Sequence, residues 1–191
     1  MSQTHVDELV GALRAGQPVI IPTDTVYGLA ADPTSPAAMR ALFALKRRPE
    51  GVPVAVLVGT PDQARSLVVE DDGLFDQLAA THWPGALTIV TERAPDLDPP
   101  LYLGDVTTIG VRLPDHDLIR AVATEFGPIA ATSANRHGEP TITDPAELVD
   151  AFGNEVDLIV DGGVLDGTAS TVVDITGRPP NVLRHGVVHL D

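Results

Sequence analysis

Three pairs of a helix-capping side chain and a proline stand at the head of helix-compatible segments: Ser35-Pro36, Thr60-Pro61 and Asp144-Pro145. Such pairs fix where a helix begins. The capping oxygen takes an orphan backbone N–H, and proline suits the first helical position, where its missing donor is not needed. Around these starts lie short apolar runs at 18–21, 54–58, 87–91, 107–112 and 128–131. Runs of that length read as strands, and strands alternating with capped helices build a layered α/β domain. The spacing of Val6, Leu9, Val10 and Leu13 predicts a first helix closed at Gly16, and further helices are predicted over 73–82 and 118–126. Short strands at 158–160, 171–175, 182–183 and 187–190 complete the pattern, while 93–105 reads as an irregular, proline-rich excursion. The expectation is one α/β domain over 1–191, a twisted mixed sheet with helices packed on it.

Polar residues crowd at two strand exits. After the first run comes Pro22-Thr23-Asp24-Thr25-Val26-Tyr27-Gly28-Leu29, a turn-prone segment that reads either as an ordinary strand-to-helix loop or as a site. After 128–131 comes Thr132-Ser133-Ala134-Asn135. Lys46 is the only lysine, the other eleven basic residues being arginine, and it stands in Lys46-Arg47-Arg48-Pro49 at the far end of the helix begun by Ser35. A lone lysine in an arginine-using chain fits a need for a compact ammonium, as in phosphate neutralisation, and equally fits a basic cluster complementing a helix dipole. Ser133 and Asn135 suit hydrogen bonding to phosphate oxygens beside Lys46, Arg48 and Arg184. Arg112, before Pro114, suits a bidentate carboxylate clamp or a surface pair with Asp115.

Several chemistries are excluded. The chain has no cysteine, so no disulfide, thiolate nucleophile or cysteine metal site can form. Its six histidines show no paired metal-ligand spacing, and neither a Walker loop nor a dinucleotide glycine fingerprint is present. Ser133 and His137 lack a hydrolase context. A formal charge of -15 argues against a broad nucleic-acid or anionic-membrane surface. Residues 1–15 carry acidic groups and no uninterrupted apolar core, so a cytoplasmic protein without membrane contact is expected.

Seven motifs in order, Pro22-Thr-Asp-Thr-Val-Tyr-Gly28, Lys46-x-Arg-Pro49, Trp83-Pro-Gly-x-Leu-Thr88, Gly110-Val-Arg112, Ser133-Ala-Asn135, Ser170-Thr-Val-Val-Asp174 and Leu183-Arg184, resemble the YrdC-like family of threonylcarbamoyl-AMP synthases in its short, single-domain form. The resemblance implies a twisted α/β sheet with a concave face, and a nucleotidyltransferase joining L-threonine, bicarbonate and ATP to give threonylcarbamoyl-adenylate and pyrophosphate. That product would pass to a tRNA threonylcarbamoyl-transfer complex for modification of an adenosine, with direct tRNA contact weak or absent. It further implies that Thr25, Arg112 and Ser170 hold the threonine, and that Lys46, Arg48, Thr108, Ser133, Asn135, Thr141 and Arg184 hold the ATP, with Lys46 and Arg48 catalytic. Magnesium would arrive with ATP rather than at a dedicated protein site. Two positions depart from the family pattern: Val52 before Pro53, and Leu57 where many relatives end the run in histidine. They keep open a related carbamoyl-adenylate-forming paralogue, and a double-stranded RNA-binding module without catalysis is the reading from another class.

Overall fold

A computed structural model describes residues 3–49, 52–69, 72–97, 101–104 and 107–190. The first helix, α1 (Gln3–Arg14), buries Val6, Leu9, Val10 and Leu13 and ends at Gly16, whose φ of 74° lets Gln17 N–H return to Ala12 O. It leads to β1 (Val19–Ile21) and β2 (Gly28–Ala31), then to α2 (Pro36–Lys46) and β3 (Ala55–Leu57). Next come α3 (Pro61–Arg65), α4 (Leu74–His82), β4 (Leu87–Glu92), β5 (Thr108–Arg112) and α5 (Asp117–Phe126). The chain continues through β6 (Ile129–Ser133), α6 (Pro145–Phe152), β7 (Thr171–Asp174) and β8 (Asn181–Arg184). All three cap-proline pairs act as read from sequence: Ser35 Oγ accepts from Ala38 N, Thr60 Oγ1 from Gln63 N and Asp144 Oδ1 from Ala146 N.

The eight strands form one sheet in the order β1-β2-β6-β3-β5-β4-β7-β8. Only β3/β5 and β4/β7 are parallel, so the sheet is mixed. Side chains alternate between its two faces. Ile20, Leu29, Ala130, Val56, Val111, Ile109, Leu87, Ile89 and Val173 enter one large core with Met39 and Leu42 of α2, Phe75 of α4, and Leu148 and Phe152 of α6. The opposite face is divided. Its β1/β2 side is covered by α1 and α5 in a second core around Leu9, Leu13, Ile119 and Val122. Across β6, β3, β5, β4 and β7 that same face lies open, and there the outward residues are small or polar: Ala131, Ala55, Gly110, Thr108, Thr88, Val172 and Asp174.

The structure corrects three local expectations. Gly28–Ala31, which overlaps the end of the segment read as turn-prone, is an interior strand paired with both β1 and β6. Gly-Leu-Ala-Ala has little intrinsic strand preference, and burial on both faces decides its conformation. Residues 158–160 make a single bridge, Ile20 to Ile159, with Ile20 N–H donating to Leu158 O and Val160 N–H to Ile20 O. Residues 187–190 form no strand, because the Thr171 hydroxyl takes the place of a backbone ladder, accepting from Val188 N at 3.0 Å and donating to Val188 O at 2.6 Å. In the excursion over 93–105, Leu101 and Leu103 are buried and Arg93 donates to Leu101 O, while 98–100 and 105 lie outside the described residues.

Candidate active site

The open sheet face is the floor of a cleft of ≈ 550 Å³. All ten residues expected at the site line it: Thr25, Lys46, Arg48, Thr108, Arg112, Ser133, Asn135, Thr141, Ser170 and Arg184. They come from α2, β5, β6, β8 and four loops, so no local segment holds the site alone.

At one end stands Lys46. Sequence position at a helix terminus leads to the expectation of a side chain outside the apolar stripe, yet Lys46 is only 2% exposed. Its ammonium donates to Ser133 O at 2.5 Å, Asn135 Oδ1 at 2.6 Å and Ser133 Oγ at 3.2 Å. These acceptors are all neutral. Burial therefore pushes the ammonium down to about 8, and the adjacent Arg48 guanidinium pushes in the same direction. Arg48 donates to Pro53 O at 2.8 Å and Thr132 Oγ1 at 3.4 Å, and its buried Nε has no partner. Burial lowers its pKa too. Asn135 is saturated by the protein: its amide donates to Arg136 O and Glu139 O, and its oxygen accepts from Lys46 and Ser133. Its position in the cleft wall is thereby fixed, and with it that of Lys46.

The other end is built around Arg112, which is 5% exposed. It donates to Asp24 Oδ1 at 2.6 Å, Thr25 Oγ1 at 2.9 Å and Gly85 O at 2.9 Å. Asp115 is taken instead by Arg120. Burial lowers the Arg112 pKa, and the Asp24 carboxylate opposes that shift. Ser170 Oγ lies 3.1 Å from Thr88 Oγ1 and accepts from Arg184 at 2.9 Å, while Arg184 Nε donates to Ser170 O. Arg184, like Lys46, has only neutral acceptors among these bonds. Burial lowers its pKa first, and proximity to Arg112 lowers it further. Two guanidiniums close enough to repel, one with no carboxylate partner among the described residues, define a place for an anion.

Sequence reasoning left Asp24, Thr88 and Asp174 out of the site, although all three stand inside the quoted motifs. Alternation along β4 and β7 is the signal that marks Thr88 and Asp174, because each shares a face with residues already chosen. Among the described residues lining the cleft, Asp174 is the single carboxylate, and its Oδ1 is engaged by Thr176 N–H and Oγ–H. No group of three or more His, Asp or Glu side chains able to hold a metal occurs among the described residues.

A two-ended, cation-lined cleft on the open face of a mixed sheet defines a class of anion-handling α/β proteins, and comparison with known proteins narrows that class. Residues 11–186 match the Sua5/YciO/YrdC family, described as telomere recombination, and the chain belongs to this family. A threonylcarbamoyl-AMP synthase of Chromohalobacter salexigens is 37% identical over 175 residues, 90% of this chain and 92% of that one. The crystal structure of Pyrococcus abyssi Sua5 complexed with L-threonine superposes with a TM-score of 0.90 at 33% identity, covering 97% of this chain and 55% of that one. Escherichia coli YciO superposes with a TM-score of 0.87 at 27% identity, covering 97% of this chain and 91% of that one.

Proposed function

We propose that the chain is an L-threonylcarbamoyladenylate synthase. The observation that carries this reading is the arrangement of two cationic centres at opposite ends of one cleft, each with a cation whose protein partners are neutral. The reaction needs that arrangement, because two anionic substrates must be held together while charge develops on a leaving pyrophosphate.

The chemistry proceeds in two steps. The threonine amine attacks the carbon of bicarbonate, forming an N–C bond with loss of water and giving a carbamate. A carbamate oxygen then attacks the α-phosphorus of ATP, the bond from that phosphorus to the bridging oxygen of the β-phosphate breaks, and pyrophosphate leaves with the electron pair. No protein nucleophile is required, so positioning and electrostatics supply the catalysis. Arg112 and Arg184 clamp the threonine carboxylate, with the Thr25, Thr88 and Ser170 hydroxyls around it; the resemblance assigns Arg184 to ATP, and its hydrogen bonds to Ser170 favour the threonine end instead. Lys46 and Arg48 neutralise the triphosphate, with Ser133, Thr108, Thr141 and Asn135 shaping that end. Magnesium would be supplied with ATP rather than at a dedicated protein site, and would add to the neutralisation of the triphosphate by Lys46 and Arg48. The labile adenylate passes to a transfer complex acting on tRNA in the cytoplasm. A net charge of -15 supports weak or no direct tRNA contact. Among the described residues, no helix is long and apolar enough to cross a membrane.

Leu57 favours a second reading. It pairs in register with Arg112 and lines the cleft, so an apolar side chain stands beside the carboxylate clamp. A rebuilt acceptor pocket would make the enzyme a carbamoyl-adenylate former with another amine. Pyrophosphate release from ATP and bicarbonate, with and without L-threonine, followed by mass detection of the nucleotide product, separates the two. Threonine-dependent release with the threonylcarbamoyl-AMP mass is the expected result. Release driven by another amine, with none from threonine, overturns it in favour of the second reading.

A further inference from the structure

The C-terminal end of α2, which carries Lys46, has four carbonyls with no partner inside the helix. Two are satisfied by the turn that follows: Arg48 N–H donates to Phe43 O at 3.0 Å and Arg47 N–H to Ala44 O at 2.9 Å. The other two are satisfied from the loop after β6. His137 N–H donates to Lys46 O at 2.7 Å, and the Arg136 guanidinium donates to Leu45 O. Arg136 is itself buried, at 9% exposure, with its guanidinium 4.2 Å from the Phe152 ring centroid. It also donates to Ala151 O at 3.0 Å and pairs with Glu155, just past α6. The neighbouring Asn135 fixes the Lys46 ammonium directly and donates to Arg136 O at 2.9 Å.

We propose that Arg136 is a positioning residue that ties α2 to the end of β6 and the loop after it, which carry Ser133 and Asn135, so that α6 sets where the Lys46 ammonium sits in the cleft. The inference rests on the reading of Lys46 as the phosphate-binding cation. Nothing else in the arrangement needs an arginine: a planar fork reaches two carbonyls and a carboxylate while its face lies on Phe152, which a lysine cannot reproduce. Loosening this tie admits water to Lys46 and misplaces it, and displacements of about 1 Å at such sites cost up to roughly a hundredfold in rate.

Because Lys46 is the only lysine, protein labelled with 13C-lysine gives one side-chain Cε resonance, whose pH titration reads this ammonium without any substrate. The wild-type signal is expected to titrate at about 8. In Arg136→Met, which keeps an apolar stem over Phe152, it is expected to move toward the ordinary 10.5, and Glu155→Gln is expected to move it less and in the same direction. Leu9→Ala, in the second core between α1, α5 and the β1/β2 side of the sheet, serves as a control that destabilises without moving the signal. With turnover, Arg136→Met is expected to raise KM for ATP roughly tenfold and leave KM for threonine within about twofold. An unmoved Cε titration in a folded Arg136→Met overturns the proposal, as does an equal shift in Leu9→Ala. If Arg136→Met does not fold, Glu155→Gln decides by the same titration. Failure of wild-type protein to make threonylcarbamoyl-AMP, with the titrations as expected, would instead count against the proposed function alone.

Discussion

Lys46 is buried charged against neutral acceptors, and the molecule carries a stability cost for it. Its folded pKa of about 8 lies below the ordinary 10.5, so between those values the unfolded chain binds more protons and stability rises with pH. Below pH 8 the full cost is carried, of order 3 kcal/mol. Lys46→Met is therefore expected to raise the melting temperature at pH 7, read by calorimetry, while lowering turnover by roughly 10²–10³-fold. A triphosphate beside the ammonium restores its high pKa. ATP binding is expected to take up a proton near pH 8.5 and to weaken above that pH, which titration calorimetry in two buffers of different ionisation enthalpy measures. Arg112 has the opposite character, since Asp24 compensates it. Asp24→Ala leaves a buried guanidinium unpaired and is expected to cost about 3 kcal/mol in chemical denaturation. The residues themselves were legible from their types and motifs. Lys46, expected at a helix end outside the apolar stripe, is buried because its four-carbon stem turns inward to reach Ser133 and Asn135.

Element by element, the cap-proline pairs announced α2, α3 and α6 because capping is local chemistry. Strand β2 was not announced, since its pairing partners, β1 and β6, include residues more than a hundred positions away. The turn after α2 uses Arg47 at φ 51°, in the left-handed region, and this turn brings Arg48 back to the cleft. Arg47→Gly is expected to stabilise the fold by about 0.5–1 kcal/mol, read from the denaturation midpoint, with turnover within twofold. Two close approaches contrast with it. A Cβ on Gly59 would sit 2.2 Å from Thr124 Oγ1 and 2.5 Å from Arg120 O, neither of which lines the cleft, whereas one on Gly186 would sit 2.2 Å from Ala169 O and 2.5 Å from Ser170 C, both of which belong to residues that do. Both alanine variants are expected to lose roughly 1–3 kcal/mol of stability. Steady-state kinetics on the folded fraction are expected to show a raised threonine KM for Gly186→Ala alone.

At the scale of the whole molecule, one sheet face is fully packed and the other is shared between two helices and the cleft. Local strand propensities do not encode that division, which follows from sheet order. The acidic surface surrounds a cationic interior site, so long polyanions are repelled where small ones are admitted. Fluorescence anisotropy with a labelled double-stranded RNA near 0.15 M salt is accordingly expected to show no saturable binding at micromolar protein, and saturable binding would revive the RNA-module reading. The cleft draws its cations from positions 46, 48, 112 and 184, the last of them on β8, which pairs only with β7 at the sheet edge. During synthesis Arg184 cannot join Arg112 at the cleft until that edge strand has left the ribosome and docked. A chain stalled before residue 184 therefore carries the Lys46 end of the cleft without the second guanidinium of the Arg112 end.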